Sequence, residues 1–307
     1  MTAPAAADPT DATRDPHRGA YAAIAAYLIW GLTPVYFKAL AAVGAGEIIA
    51  HRVLWSVLLL AIVLLAARRR QGVEAIRRQP RLLLWLTLSA VLVTSNWLVY
   101  VWAVNAGRVL EASLGYYINP LVTVVLGALV IGERMSRWQR IAFALAALGV
   151  ANQIVQVGAL PWVALFLATT FALYGLLRKQ LAIDPLTGLF VETLLLAPLA
   201  LWYLAGLSAS GELAFGQLGW RIDWLLVAAG LVTSLPLVLF AFGARRLRMA
   251  TMGFLQYLAP TLMFGLGVLV YDEPFGAGRL TTFALIWAGL AIYSWEAWRR
   301  PAGRHAG

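Results

Sequence analysis

The chain has 307 residues, of which 62% are hydrophobic and 12% are charged. A soluble domain carries about 25% charged residues, so this chain has too few charges for a water-facing surface and is predicted to be an integral membrane protein. It contains no cysteine, which excludes disulfides and thiolate metal sites.

Ten apolar stretches follow one another along the chain, each close to the roughly 20 residues that a helix needs to cross a bilayer. Their approximate limits are 20–40, 47–67, 82–104, 109–131, 138–156, 160–179, 186–206, 223–244, 249–271 and 279–298. Residues 1–18 are rich in Ala, Pro, Asp and Thr, which predicts a disordered cytoplasmic tail and not a cleaved signal peptide. Residues 299–307 are predicted to form a second cytoplasmic tail.

The net charge of +10 is spread over several short segments between these stretches. Most of the 24 Lys and Arg residues lie in segments that share one side of the membrane. The positive-inside rule therefore predicts that both termini are cytoplasmic, in a multi-pass protein of a bacterial-type inner membrane. A nucleic-acid interface would gather these charges on one compact face, so no nucleic-acid partner is predicted, and the lipid bilayer is.

The chain resembles itself at a fixed offset of 140 residues. Matched pairs of unusual residues include Tyr117 with Tyr257, Pro120 with Pro260 and Glu133 with Glu273. The matches relate spans four and five to spans nine and ten. Because five is an odd number of crossings, the two copies run in opposite directions, as in many secondary transporters. We predict an all-α protein of ten transmembrane helices in two inverted five-helix repeats, 19–156 and 157–298.

Several local strings also resemble a known family. They are Trp30-Gly31-Leu32-Thr33-Pro34, Ala50-His51-Arg52, Ser95-Asn96-Trp97, Glu111 to Pro120 and Gly253 to Pro260. Together they resemble the drug/metabolite transporter superfamily, and more narrowly the RarD-type branch of its EamA-domain transporters. This resemblance implies the EamA fold, a central cavity bounded by spans one, three, four, six, eight and nine, and transport. It implies no particular substrate.

Polar residues at membrane depth are costly and therefore candidates for function. Glu192 lies in span seven, and His51 and Arg52 lie at a similar depth in span two. Two interpretations stay open: a buried ion pair between these spans that locks the halves together, or a proton-coupling site at Glu192 or His51.

A second set of candidates is predicted to line the substrate cavity. In spans four and nine a proline follows polar residues, and broken helices in corresponding positions point to a transporter's binding site; the alternative is a kink needed only for packing. Span three adds a polar stripe, and two aromatic residues before glycines in spans one and six are candidate gates. The candidates are Trp30, Asn96, Trp97, Tyr100, Tyr116, Tyr117, Asn119, Pro120, Tyr174, Gln256, Tyr257 and Pro260.

Charged residues near the helix ends are expected to be structural. Arg178 and Lys179 are expected to reach the cytoplasmic headgroups, and Lys38 and Glu47 to be solvated. Glu133 and Glu273 are expected to cap helices or to pair with loops.

These features predict a secondary transporter that exports a small organic solute. A membrane-embedded enzyme or a channel is the alternative. There are three His in the chain, with no paired-His metal motif, nucleophile elbow or Walker motif. No enzymatic activity, cofactor or metal is therefore predicted. The oligomeric state cannot be read from the sequence.

Overall fold

The computed structural model describes residues 15–67, 76, 79–105, 109–157, 162–270 and 277–299, and every regular element in these ranges is a helix. In chain order they are α1 Pro16–Ala39, α2 Ala45–Ala66, α3 Pro80–Asn105, α4 Val109–Val130, α5 Arg137–Val157, α6 Trp162–Gln180, α7 Pro185–Ser210, α8 Trp220–Ala244, α9a Met249–Gln256, α9b Leu258–Leu269 and α10 Ala277–Arg299. Counting α9a and α9b as one crossing, each predicted span has its helix.

Six of the described helices, α1 to α3 and α6 to α8, are by length and composition able to cross a membrane. The prediction of an all-α membrane protein is confirmed. Helix α1 begins inside the segment predicted to be a tail, because the Asp15 side chain accepts hydrogen bonds from the backbone N–H groups of His17 and Arg18 and Pro16 occupies the first turn. An Asp-Pro pair starts α7 in the same way, at Asp184 and Pro185.

Helix packing follows the internal repeat. The most extensive contacts join α5 with α10, α4 with α6, α1 with α8, α2 with α7 and α8, α4 with α9a, α3 with α6 and α7, and α1 with α9b. The two halves can be exchanged on paper by renaming α1 to α5 as α6 to α10 and α6 to α10 as α1 to α5. This exchange gives the same set of contacting helix pairs. The described helices therefore pack as two equivalent halves.

The contact between α5 and α10 shows the register of this equivalence. A Cβ placed on Gly149 would lie 3.0 Å from the Thr282 carbonyl oxygen, and one on Gly289 would lie 2.7 Å from the Ala142 carbonyl oxygen. Gly149 and Gly289 are 140 residues apart, as are Ala142 and Thr282. Each glycine thus lets the two backbones approach closely at the same point of its own half. We call residues 140 apart repeat partners.

The prolines of the two central helices have different effects. Helix α9 is interrupted at Tyr257, whose N–H bonds to the Phe254 carbonyl at 3.3 Å. Helix α4 is continuous through Pro120. The prediction of a broken helix is therefore confirmed at Pro260 and wrong at Pro120. Proline removes one backbone donor at both places, but a helix can bend around that loss without ending.

Candidate substrate cavity

A cavity lies between α1, α3, α4, α6 and α9. It holds about 620 Å³ of space outside atoms, including its open mouth. Span eight was also expected to bound it, but α8 contributes none of the described lining residues. The lining consists of Tyr27, Trp30, Thr33, Asn96, Trp97, Gly115, Tyr116, Asn119, Leu167, Phe171, Gln256, Ala259 and Met263.

Six of the twelve predicted cavity residues belong to this lining: Trp30, Asn96, Trp97, Tyr116, Asn119 and Gln256. The other six, Tyr100, Tyr117, Pro120, Tyr174, Tyr257 and Pro260, lie outside it. Tyr100 packs behind the lining against Trp97 and Tyr116, with ring centroids 6.0 and 5.7 Å apart. The sequence did not single out Tyr27, Leu167, Phe171 or Met263, because apolar side chains at helical spacing do not distinguish a cavity from a packed core.

Three prolines each stand four residues after a lining residue. Pro34 follows Trp30, Pro120 follows Tyr116 and Pro260 follows Gln256. Proline has no N–H, so in each case the carbonyl of the lining residue loses its helical donor. In α1 the Thr33 hydroxyl replaces that donor and bonds to the Trp30 carbonyl at 2.7 Å. The Tyr116 and Gln256 carbonyls are thereby left without their helical donors in two of the cavity's walls, where irregular backbone is tolerated in a membrane.

The residues where α4 crosses α9 form the polar part of the cavity wall. The Gln256 amide donates to Asn119 Oδ1 at 2.8 Å, and the Thr123 hydroxyl donates to the same oxygen at 3.2 Å. Tyr257 donates to the carbonyl of its repeat partner Tyr117 at 3.3 Å. The repeat partners of Tyr116 and Asn119 are Gln256 and Ala259, and all four line the cavity. The cavity therefore sits where the two halves meet.

Asn96 connects α3 to α6. Its Nδ2 donates to the Leu167 carbonyl at 2.8 Å and to the Thr170 hydroxyl at 2.9 Å. The neighbouring Trp97 has a buried indole N–H with no hydrogen-bond partner among the described residues. One wall of the cavity thus contains a satisfied amide beside an unsatisfied donor, and a buried unpaired donor is costly unless a ligand meets it.

At one end of the cavity, which we call the closed end, an aromatic cluster packs α1, α6 and α8 against one another. Phe240 of α8 stacks on Tyr174 at 5.8 Å and contacts Trp30, Phe171 and Tyr27 at 5.7, 5.2 and 6.3 Å between ring centroids. Tyr174 is fully buried, and Phe240 nearly so. This closed end is the one where α1 and α9 begin and α6 and α8 end. We call it the basic end, for Arg178, Lys179, Arg245, Arg246 and Arg248.

Among the described residues the opposite end does not repeat this cluster, and its contact between α1 and α3 is that of Phe37 with Trp97, with ring centroids 6.3 Å apart. The Trp30-Gly31 pair of α1 matches the Tyr174-Gly175 pair of α6 at an offset of 144 residues, and the repeat partner of Phe240 is Tyr100. Equivalent packing would put Tyr100 against Trp30, but the Tyr100 ring contacts Trp97 and Tyr116 instead. In the same way, α1 and α3 pack much less extensively than their equivalents α6 and α8. The two halves are therefore alike in fold and different in the closure of their ends.

At the basic end, a cluster of charged residues joins the end of α4 to the start of α9a. Glu133, which follows α4, accepts hydrogen bonds from the backbone N–H groups of Met249 and Ala250 at 2.9 and 3.2 Å. Its carboxylate lies 3.6 Å from Lys179 Nζ and 3.8 Å from Arg248 Nε. Glu133 thus caps α9a across the boundary between the halves, as the sequence suggested. Glu273 lies outside the described residues.

Glu192 has a partner that the sequence did not indicate. Its Oε1 lies 3.3 Å from Nη1 of Arg178, and both side chains are 1% exposed. Arg178 also donates to the Pro185 carbonyl at 3.0 Å. The expectation that Arg178 reaches the headgroups is therefore wrong. The predicted pairing of Glu192 with span two is not seen either, because the Arg178–Glu192 pair lies within the second half.

His51 and Arg52 have separate environments. His51 accepts a hydrogen bond from Trp55 at 3.1 Å and lies 3.8 Å from Glu47. Glu47 is buried, against expectation, because its carboxylate accepts from the backbone N–H groups of Ala214 and Phe215 at 2.9 to 3.0 Å. Arg52 Nε donates to the Thr233 hydroxyl of α8 at 2.6 Å. Arg52 therefore links the halves, and His51 supports the loop before α8.

Comparison with known proteins places these features in a family. Residues 17–152 match the EamA-like transporter family. An uncharacterized transporter of Vibrio cholerae is 48% identical over 92% of this chain and 93% of its own length. Protein RarD of Salmonella typhimurium is 48% identical over 91% and 95%. The chloramphenicol-sensitive protein RarD of Pseudomonas aeruginosa is 32% identical over 92% and 95%.

A solved crystal structure shares the fold, with a TM-score of 0.67 and 22% identity, over 92% of this chain and 99% of the other.

Proposed function

Since this chain belongs to the EamA-like transporter family of the drug/metabolite transporter superfamily and is RarD-like, we propose that it is a secondary transporter that exports a small organic solute from the cytoplasm by alternating access. The observation that carries the proposal is the asymmetry of the cavity: equivalent helices are closed at the basic end and less closely packed at the other. In this proposal the basic end faces the cytoplasm, with both termini there, and the structure represents a state closed to that side.

The two halves give a specific mechanism. Exchange of their conformations would bring Tyr100 against Trp30 and separate Phe240 from Tyr174, so that the closure moves from the basic end to the opposite end. Four of the six lining residues of α4 and α9 are repeat partners, Tyr116 with Gln256 and Asn119 with Ala259, and they would meet the solute in both states. Such rocking of inverted halves around a shared site is how many secondary transporters work.

The composition of the cavity supports a compact solute with both polar and aromatic character. Trp30, Trp97, Tyr116 and Phe171 provide aromatic surfaces, and the amides of Asn119 and Gln256 provide hydrogen-bonding groups. Pockets that combine apolar walls with a few placed polar groups bind small organic molecules in this way. An amino acid or an aromatic metabolite has the required size and chemistry.

Reconstitution into liposomes tests this function. We expect saturable uptake of at least one solute from a panel of amino acids, aromatic acids and small drugs, accelerated by the same solute inside. Uptake that does not saturate would indicate a channel, and chemical conversion without transfer would indicate an enzyme. Running the panel with and without a pH gradient tests for a coupling proton.

A matched pair of variants ties the flux to the cavity. Met263→Trp places a large ring among the lining residues of α9b, whereas Leu269→Trp places the same ring on the same helix segment at a position that is 81% exposed. We expect Met263→Trp to lower uptake at least about tenfold, since a filled cavity excludes the solute, and Leu269→Trp to leave it within about twofold. Equal effects of the two variants would contradict the assignment of the cavity.

A further inference from the structure

A second cavity lies on the boundary between the halves, lined by α2, α3, α7 and α8. Most of its lining residues are repeat partners of one another, including Arg52 with Glu192, Val93 with Thr233 and Trp97 with Leu237. Trp97 lines this cavity and the substrate cavity alike. The second cavity therefore lies directly behind the Trp97 wall of the first.

Arg52 is a buried cation with no acidic partner among the described residues. Its side chain is 6% exposed, and its guanidinium lies over the Trp97 ring, with Cζ 3.6 Å from the ring centroid. Within the part of the chain that the structure describes, its only hydrogen bond is the one from Nε to Thr233, and no carboxylate lies within ion-pair distance. The N–H groups on Nη1 and Nη2 therefore have no described protein acceptor.

The repeat partner of Arg52 has the opposite arrangement. Glu192 is just as deeply buried, but Arg178 neutralises it at 3.3 Å. An uncompensated charge at this depth is costly. The wall of the second cavity thus contains an acid and a base, and of the two only the acid has a partner of opposite charge, Arg178, which lies outside the lining.

Trp97 adds a second unpaired donor at the same place. Its indole N–H is buried without a partner in the described structure, and its ring is the one that Arg52 covers. A guanidinium offers donors in a planar fork that matches the two oxygens of a carboxylate or phosphate. The Nη1 and Nη2 groups of Arg52 and the indole N–H of Trp97 are adjacent donors without acceptors in the described structure, and together they could bind an anion.

We propose that Arg52, with Trp97, forms an anion-recognition subsite beside the substrate cavity, so that the transported solute carries a carboxylate or a phosphate group. This inference rests on the proposed transport function and narrows it to a substrate class. The anionic group enters behind Trp97, while the remainder of the solute occupies the cavity formed by α1, α4, α6 and α9.

Matched solutes test the subsite in proteoliposomes. The probes are L-phenylalanine and L-phenylalaninamide, 3-phenylpropionate and 3-phenylpropionamide, and glucose 6-phosphate and glucose, each measured as a competitor of the solute found in the uptake panel. We expect that solute to carry a carboxylate or a phosphate, and the member of at least one set that carries this group to compete at least about tenfold better than the member that lacks it. The set that shows this preference distinguishes a carboxylate from a phosphate.

Variants assign the preference to Arg52. Arg52→Gln is expected to abolish the preference for the anion, and Arg52→Lys to keep part of it. Arg221→Gln removes an exposed positive charge from α8 and serves as the control that leaves the preference unchanged. Trp97→Phe keeps a six-membered ring for the guanidinium and removes the five-membered ring that carries the N–H, so it provides a milder variant with a smaller loss in case Arg52→Gln does not fold.

The outcomes separate the two proposals. If the wild-type protein takes up no solute, the proposed function fails and this inference falls with it. If it transports a solute but competitors with and without the carboxylate or phosphate group compete equally, transport stands and the anion subsite is overturned. The same holds if Arg52→Gln or Trp97→Phe keeps the full preference.

Discussion

At the scale of single residues, burial decides whether a charged side chain contacts solvent or needs a partner of opposite charge. Arg178 and Glu192 lie fourteen positions apart on either side of the short turn between α6 and α7, and the fold removes both from lipid and water. The sequence showed that Glu192 lies within the membrane but did not reveal its partner. An arginine in the last turn of a helix usually reaches the headgroups, but the Arg178 guanidinium turns inward onto Glu192, the Pro185 carbonyl and Gly188.

The Arg178–Glu192 pair predicts a specific pattern of stability. Either Arg178→Gln or Glu192→Gln leaves the other charge buried alone, and we expect each to lower the free energy of unfolding by about 3–5 kcal/mol. The double variant should recover much of this loss, because no unpaired charge remains. Thermal unfolding in detergent measures the pattern.

The exposed pair Arg18–Asp15 provides the control for this experiment. Its side chains are 69% and 35% exposed, so we expect Arg18→Gln to cost no more than about 1 kcal/mol. The account would be wrong if Arg178→Gln were no more costly than Arg18→Gln. Transport measured in Glu192→Gln across pH also tests the coupling interpretation, because an unchanged pH response would exclude Glu192 as the coupling group.

At the scale of elements, the central helices show how far local sequence determines structure. Hydropathy located the helices to within a few residues, because apolar length acts locally, whereas the Asp-Pro start of α1 lies within the segment predicted to be a tail. The effect of a proline was not predictable in the same way. Pro120 and Pro260 are repeat partners, yet only α9 is interrupted, so the proline alone does not decide whether the helix continues.

Glu133 caps α9a, and we expect the loss of this cap to weaken the packing of the basic end. Gly127 lets α4 approach Met249 closely, which brings Glu133 to the first N–H groups of α9a. We expect Glu133→Gln to cost about 1–2 kcal/mol, because it removes an anion from a helix N-terminus and from two cations. We also expect it to favour the state in which the basic end is open.

Thiol labelling reports that opening. The chain has no cysteine, so a cysteine at position 174 is the only thiol in the variant Tyr174→Cys. Its reaction with a maleimide should be faster in the Glu133→Gln background and unchanged by Glu212→Gln, which alters an exposed acid. Equal labelling in both backgrounds would show that Glu133 does not hold the basic end closed.

At the scale of the whole molecule, the repeat explains both the likeness and the difference of the two halves. Matched Tyr and Pro residues predicted two equivalent halves, and the helix packing has that equivalence. The difference could not be predicted, because a sequence specifies both states of such a protein and a single structure shows one. The described contacts of Phe240 and Tyr100 identify which end is closed here.

Cross-linking of two residue pairs tests alternating access most directly. A pair of cysteines at positions 174 and 240 spans the closed end, and a pair at 30 and 100 spans the equivalent place at the other end; the chain has no native thiol to interfere. With a short thiol cross-linker in proteoliposomes, we expect each pair to react when alone and to block uptake until it is reduced. In the protein with all four cysteines, we expect either cross-link to prevent the other; a link between positions 30 and 240, which are also close in this structure, is identified separately by mass spectrometry. Formation of both cross-links in the same molecule, or unimpaired uptake with either in place, would contradict the account.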